Sequence, residues 1–284
     1  MEFVFKNICS HSLALLKIQC DLKPNFEIDK FKKACNKVAQ HNKINISVYE
    51  NQDLDFKIKH NIIFFIDDNK LILYINHLYY DGYLISYLLN QIVYSIVFDD
   101  VDKFPPVQFN KQIIIPSTLH YKHMCTTFLQ QHYLYKEINI NDFNYYNFIK
   151  EIQRQFPGQI LYMLISTRKI NKEYLKMGNW IDLLRLEPDD DYYLTLKNNP
   201  EKKMLSSIKT LINTIQDVKN NKAIFINNLS NFEMPYFSTG CFIQTFPFET
   251  ISNKNIYIKK GYDSKTINIY FNKSMEEYYL SKKK

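Results

Sequence analysis

The sequence predicts an α/β protein. Apolar runs of strand length, such as Leu71 to Ile75 and Ile160 to Thr167, alternate with amphipathic helical patterns, such as Asp29 to Asn42 and Tyr83 to Phe98. At 284 residues, 46% of them hydrophobic, the chain can bury a large core in one big domain or in two lobes.

Leu13 to Cys20 alternates as a strand, and Asp21 to Asn25, with Pro24, reads as a loop. From Asp29, the expected N-cap, apolar residues recur at Phe31, Ala34, Cys35 and Val38, with Lys30, Lys33, Lys37 and Gln40 facing out. This helix ends near His41-Asn42, which makes His41 a helix-end residue, and Ile44 to Tyr49 is a short strand. Phe56 to Asp67 and Leu71 to Ile75 read as two strands joined by the polar turn Asp67 to Lys70. Asp81-Gly82 opens a helix whose core face is Ile85, Leu88, Leu89, Ile92 and Ile96, with Ser86, Asn90 and Ser95 towards the other side.

Asp99 to Pro106, acidic and with two prolines, breaks the pattern, and from there to Asn141 no periodicity stands out. His120, His123, Cys125 and His132 fall in this stretch. With neither a second ligand cluster nor a zinc spacing they read as surface and helix-end residues, and no metal site is expected. Phe143 to Phe156 is helical, Pro157-Gly158 ends it, and Ile160 to Thr167 is an apolar strand leading to Arg168. Gly178-Asn179 precedes the apolar Trp180 to Leu186, and Asp189 to Asp191 is an acidic turn. Asn199 is the expected cap of a helix with Pro200 in first position and a stripe of Leu205, Ile208, Leu211, Ile212, Ile215 and Val218. Ala223 to Asn227, Cys241 to Phe248, Asn255 to Lys259 and Thr266 to Phe271 complete the strands.

A net charge of +7 and a pI near 8.9 would suit nucleic acid, a membrane surface or a phosphorylated ligand. Composition offers a plainer source: 29 Asn against 4 Ala and 5 Gly mark an AT-rich coding sequence, and the lysines are dispersed apart from Lys282 to Lys284. A nucleic-acid partner is therefore disfavoured. The five cysteines, Cys9, Cys20, Cys35, Cys125 and Cys241, lack CxxC spacing and suit reducing, intracellular conditions. With no signal-peptide pattern at the N-terminus and no long uninterrupted apolar window, a soluble, cytoplasmic protein is expected.

The stretch with chemistry in it is Ile75-Asn76-His77-Leu78-Tyr79-Tyr80-Asp81-Gly82, a His-x-x-x-Asp-Gly element between a buried strand and a helix. It resembles the active-site motif of the CoA-dependent acyltransferase superfamily, which includes chloramphenicol acetyltransferases, the BAHD enzymes and peptide-synthetase condensation domains. Further along, a strand ending in Arg168, the Gly178-Asn179 element, and a strand running into Asn228-Leu229-Ser230-Asn231 with Pro235 beyond it resemble later family segments in the family's order. Many members carry two consecutive histidines where this chain has Asn76-His77, and the Asp-Phe-Gly-Trp-Gly signature of plant BAHD enzymes is absent. Tyr79 and Tyr80 are bulky for the motif and would narrow an acceptor channel.

The resemblance implies two chloramphenicol-acetyltransferase-like lobes, each a mixed sheet carrying helices, with an active-site channel between them. The corresponding division is an N-terminal lobe over 1–105, a crossover over 106–141 and a C-terminal lobe over 142–284. His77 would be the general base in transfer of an acyl group from acyl-CoA to a hydroxyl or amine of a small-molecule or sugar acceptor. Asp81 would pair with Arg168 and point away from His77, Gly82 would let the backbone turn tightly, and Asn228 or Ser230 would stabilise the oxyanion. Acyl-CoA is a co-substrate, no tightly bound cofactor is implied, and a carrier-protein thioester could replace CoA. Two other classes stay open: a catalytically inactive binding or assembly protein with this fold, and a basic nucleic-acid-binding protein.

Overall fold

The computed structural model describes residues 15–50, 55–58, 62–76, 79–108, 119–122, 133–168, 174–177, 181–198, 200–204, 208–233, 235–244, 254–272 and 275. In chain order its strands are β1 (Leu15–Leu22), β2 (Ile46–Glu50), β3 (Asp55–Ile58), β4 (Ile62–Asp67), β5 (Lys70–Asn76), β6 (Leu119–Lys122), β7 (Tyr133–Asn139), β8 (Ile160–Ser166), β9 (Ile181–Leu186), β10 (Ala223–Leu229), β11 (Ser238–Gln244), β12 (Asn255–Lys260) and β13 (Thr266–Asn272). The helices are α1 (Ile28–Asn42), α2 (Gly82–Phe98), α3 (Tyr145–Gln155), α4 (Tyr192–Lys197) and α5 (Ile208–Lys219), with a 3-10 turn at Pro200–Lys203.

Two mixed sheets, each carrying helices, form two lobes. The first runs β11-β1-β5-β4-β2 and the second β7-β13-β12-β10-β8-β9. In the first, β2 and β4 are parallel and the other neighbours antiparallel. In the second, β10 lies parallel to both β8 and β12. Ile62 to Ile66 and Leu71 to Ile75 are buried on both sheet faces, which is why these runs read as continuously apolar. On one face, Phe31, Ala34, Cys35 and Val38 of α1 and Leu84, Ile85, Leu88, Leu89 and Ile92 of α2 complete the first core. The second core lies between its sheet and Ile149 and Ile152 of α3.

The lobes do not follow the division of the sequence at 105 and 141. β7, from within 106–141, joins the second sheet, and β11, from the C-terminal part, joins the first beside β1. That exchange covers an otherwise open edge of β1 with a full strand of backbone hydrogen bonds.

Other departures have local causes. The expected strand from Phe56 to Asp67 is broken into β3, which pairs with β6 in a separate ribbon, and β4, which enters the first sheet. Asp55 and Lys57 alternate charge along β3, a pattern that suits a two-stranded ribbon and not a doubly buried strand. The N-cap of α1 is Glu27 and not Asp29, which lies in the first turn where a carboxylate favours the helix dipole. Ser95 of α2 is buried, against its expected outward position.

The largest departure is α5. It begins at Ile208, and Ile212 and Ile215 of the expected stripe are exposed while Thr210 and Thr214 are buried. Thr214 donates to the carbonyl of Thr210 (2.7 Å) and Thr210 to that of Lys202 (3.1 Å). Asp217 accepts from the Tyr162 hydroxyl (2.6 Å) and Arg185 Nε (2.9 Å) on the sheet beneath. Polar groups satisfied at the interface turn this helix to a face that apolar periodicity does not mark.

Candidate active site

β5 carries the chain to Asn76, which is buried at its end. The Asn76 carbonyl accepts from the backbone N–H groups of Tyr79 (3.0 Å) and Tyr80 (3.3 Å), forming the turn between β5 and α2. Tyr79 and Tyr80 are both buried in the first core, which gives their bulk a packing role. His77 lies outside the described residues, as do Gly178 and Asn179.

Asp81 caps α2: its Oδ1 accepts from the N–H of Leu84 (3.0 Å) and its carbonyl from that of Ile85 (3.0 Å). The same carboxylate meets Arg168 in the expected pair, and does so bidentately, with Nε at 2.7 Å from Oδ2 and Nη2 at 2.9 Å from Oδ1. Both side chains are 2% exposed. A buried carboxylate survives when its oxygens are hydrogen-bonded and its charge is matched, and here the positive end of α2 adds to the guanidinium.

Arg168 fastens three parts of the fold at once. Beyond Asp81, its Nη1 donates to the carbonyls of Tyr174 and Lys176 (3.0 Å each), and the Tyr83 ring centroid lies 5.4 Å from Cζ. The 174–177 segment is tied in turn to Gln108, whose N–H donates to the Leu175 carbonyl and whose carbonyl accepts from Met177, each at 2.8 Å. Met177 is buried in the first core. The crossover before Gln108 is strapped to the first lobe by the His41 ring on the Phe104 carbonyl (2.6 Å), the Tyr87 hydroxyl donating to the Pro105 carbonyl (2.6 Å) and the Val107 N–H donating to Asn42 Oδ1 (2.9 Å). The end of β8 and the entry to α2 are thereby held in one geometry.

Gly82 does not take the role expected of it. It is the first residue of α2, its φ is not in the left-handed region, and a Cβ there would meet nothing within 4 Å.

Asn228 and Ser230 stand at the far end of β10. Asn228 Oδ1 accepts from the Ser230 N–H (3.0 Å), closing a local turn. Burial and the neighbouring Tyr192 push the Tyr145 hydroxyl well above the usual tyrosine range, with the Asn228 side chain opposing them. Leu229 and Phe232 pack against the first core and Tyr145 against the second, so this turn lies at the seam between the lobes. The Asn228 Oδ1 is engaged by the Ser230 N–H, whereas the Ser230 hydroxyl has no hydrogen-bond partner among the described residues. Lys259 is directly beside Leu229 on the adjacent strand β12 and shares its face. It is buried, which lowers its pKa to about 7, and its Nζ lies 5.6 Å from the Tyr270 ring centroid. No pattern in the sequence marks Lys259, because lysine is so frequent in this chain.

No family model matches the sequence, and no curated protein matches it. Among solved structures, the condensation domain of the monacolin K polyketide synthase MokA aligns over 96% of this chain and 90% of its own, with a TM-score of 0.51 at 7% identity. The epimerization domain from the third module of tyrocidine synthetase B aligns over 95% and 89%, with a TM-score of 0.49 at 10% identity. Vinorine synthase aligns over 91% and 86%, with a TM-score of 0.49 at 9% identity. The likeness is one of fold, and it rests on the first of these.

Proposed function

From the two-lobed, chloramphenicol-acetyltransferase-like fold that this chain shares with a condensation domain, we propose that the protein transfers an acyl group from a thioester, acyl-CoA in the first instance, to a hydroxyl or amine. The observation that carries the reading is the buried Asp81–Arg168 pair. It fixes Asp81 at the entry to α2, four residues after His77 in the sequence, against Arg168 at the end of β8, and a general base four residues away would draw on such a fixed anchor.

In this mechanism a neutral His77 takes the proton of the acceptor hydroxyl or amine as it attacks the thioester carbonyl. The tetrahedral oxyanion would take its donor from the Ser230 hydroxyl or the Asn228 amide N–H groups. Collapse breaks the carbon–sulfur bond, and the imidazolium returns its proton to the departing thiolate. A small molecule or sugar is the acceptor class, and a carrier-bound thioester is the alternative donor.

Incubating the purified protein with a panel of acyl-CoA donors and a carrier-protein thioester, with mass-spectrometric detection of slow hydrolysis or transfer, tests this directly. His77→Ala should lower turnover on the order of 10²–10⁴-fold with CoA binding nearly unchanged. A folded His77→Ala protein that keeps full turnover would assign the base elsewhere.

A further inference from the structure

We propose that Cys20 and Cys241 form a thiol pair that low-molecular-weight disulfides of the glutathione class convert to a cross-strand disulfide, clasping β11 onto the first sheet. The two residues are in register across the antiparallel β1–β11 pair, and their Sγ atoms are 3.4 Å apart. The Cys241 N–H points away from β1, to the carbonyl of Tyr262 (3.3 Å). On β1 the Leu22 N–H is directed to the Asn69 carbonyl on the β5 side, and alternation along the strand gives Cys20 the same direction. Cys20 and Cys241 therefore form a pair of the non-hydrogen-bonded kind, in which facing Cα atoms approach to about 4.5 Å and side chains are closest. That separation lies within the range of about 4.4–6.8 Å that a disulfide spans.

The chemistry divides between the two thiols by exposure. Cys20 is buried in the first core, whereas Cys241 is partly exposed and is the one an external reagent reaches. The Cys241 thiolate attacks one sulfur of the oxidised reagent, breaking its S–S bond, releasing one reagent thiol and leaving a mixed disulfide on Cys241. Cys20 gives up its proton and attacks Cys241 Sγ, expelling the second reagent thiol. The protein loses two hydrogens and two electrons, and one reagent disulfide becomes two thiols. The Cys20 thiol beside it and burial push the Cys241 thiol upward, so the thiolate is scarce and the exchange runs slowly at neutral pH.

The product would join residues 221 positions apart in sequence, at the strand by which the C-terminal part of the chain enters the first sheet. It would make that strand exchange covalent without moving either strand.

The test uses the full chain, incubated for hours with excess oxidised glutathione, then alkylated and digested without reduction. A linked peptide pair carrying Cys20 and Cys241, a mass lower by two hydrogens and a rise in Tm reversed by dithiothreitol are expected. Cys20→Ser should stop at a glutathione adduct on Cys241, and Cys241→Ser should leave Cys20 unmodified. The proposal is overturned if folded wild-type protein keeps both thiols alkylatable on later unfolding, if it stops at the adduct, or if Cys20 is linked to a different cysteine.

Discussion

Two junctions, or seams, tie the C-terminal part of the chain to the N-terminal part, and they have opposite character. At one, Arg168 and Asp81 place two charges where both side chains are 2% exposed, and directional hydrogen bonds hold them: four N–H groups of one guanidinium on two carboxylate oxygens and two carbonyls. At the other, β11 lies along β1 through backbone pairing, and the turn between β12 and β13 closes over it, with the Tyr262 ring on Gly240 and its carbonyl on the Cys241 N–H. The first seam fixes one loop at one angle, and the second joins surfaces over the length of a strand. Both tie the C-terminal part of the chain to the N-terminal part, but only the first spends buried charge on doing so, at the mouth of the helix that follows His77 in the sequence.

The largest expected effect separates position from stability at the charged seam. Among the described residues, Arg168→Ala leaves the buried Asp81 carboxylate with the Leu84 N–H as its remaining partner, and should cost about 3–5 kcal/mol in urea unfolding. Replacing both partners together, Arg168→Met with Asp81→Leu, should recover part of that loss, since no charge stays buried, while the Leu84 N–H and the Tyr174 and Lys176 carbonyls lose their partners. If the proposed acyl transfer depends on that anchor, turnover should stay low in the recovered protein, because the entry to α2 has lost its directional bonds to Arg168. If Arg168→Ala costs no more than an exposed pair, about 1 kcal/mol or less, the distinction between the seams collapses.

Lys259, beside Leu229 on the sheet face that meets the first core, offers a second buried charge for comparison. Its pKa falls from 10.5 to about 7 on folding because burial disfavours the ammonium. Between those values the unfolded chain binds the extra proton and the folded chain does not, so stability should climb as pH rises from about 7 to 10.5, and the penalty is complete below 7. The full swing is on the order of a few kcal/mol. Lys259→Met should flatten this part of the stability profile, and an unchanged slope in the mutant would assign it to other groups.

At the uncharged seam the expected effect is smaller. A Cβ on Gly240 would lie 2.1–2.5 Å from atoms of the Tyr262 ring, but that residue is 46% exposed and its ring can swing outward. Gly240→Ala should therefore cost about 1–3 kcal/mol, an overpacking penalty, and Tyr262→Ala in the same chain should remove most of it. Equal chemical-denaturation midpoints for Gly240→Ala and wild type would mean that the turn does not press on β11.

The charged seam was legible in the sequence and the uncharged one was not, for a physical reason. Asp81 sits at a helix start and Arg168 at the end of an apolar strand, so local pattern and a family resemblance sufficed to pair them. That β11 crosses to β1 depends on which of several similar strands finds an open edge, and pairing partners leave no local trace. The register that faces Cys20 with Cys241 was hidden for the same reason. In α5, periodicity pointed to Ile212 and Ile215, whereas Thr210, Thr214 and Asp217 face inward because each finds a hydrogen-bond partner. Asn42 is the same lesson in the first lobe: its amide donates to Gln91 Oε1 (2.6 Å) and its carbonyl oxygen accepts from Val107, so two polar residues of otherwise amphipathic helices are core residues.

The smallest effect is expected at Gly82, the counterpart of Gly240 at the charged seam. The turn over β11 leaves Gly240 no room for a methyl group, whereas nothing lies within 4 Å of a Cβ at Gly82 and its backbone is in a region open to any residue. Gly82→Ala should thus change unfolding free energy by less than about 1 kcal/mol, and in the stabilising direction, since alanine has less backbone freedom to lose in a helix. A loss larger than that would mean the entry to α2 needs glycine for its own geometry. If stability holds while turnover in the acyl-transfer assay falls tenfold or more, the open space above Gly82 is where a substrate approaches the backbone, and the glycine serves the ligand and not the fold.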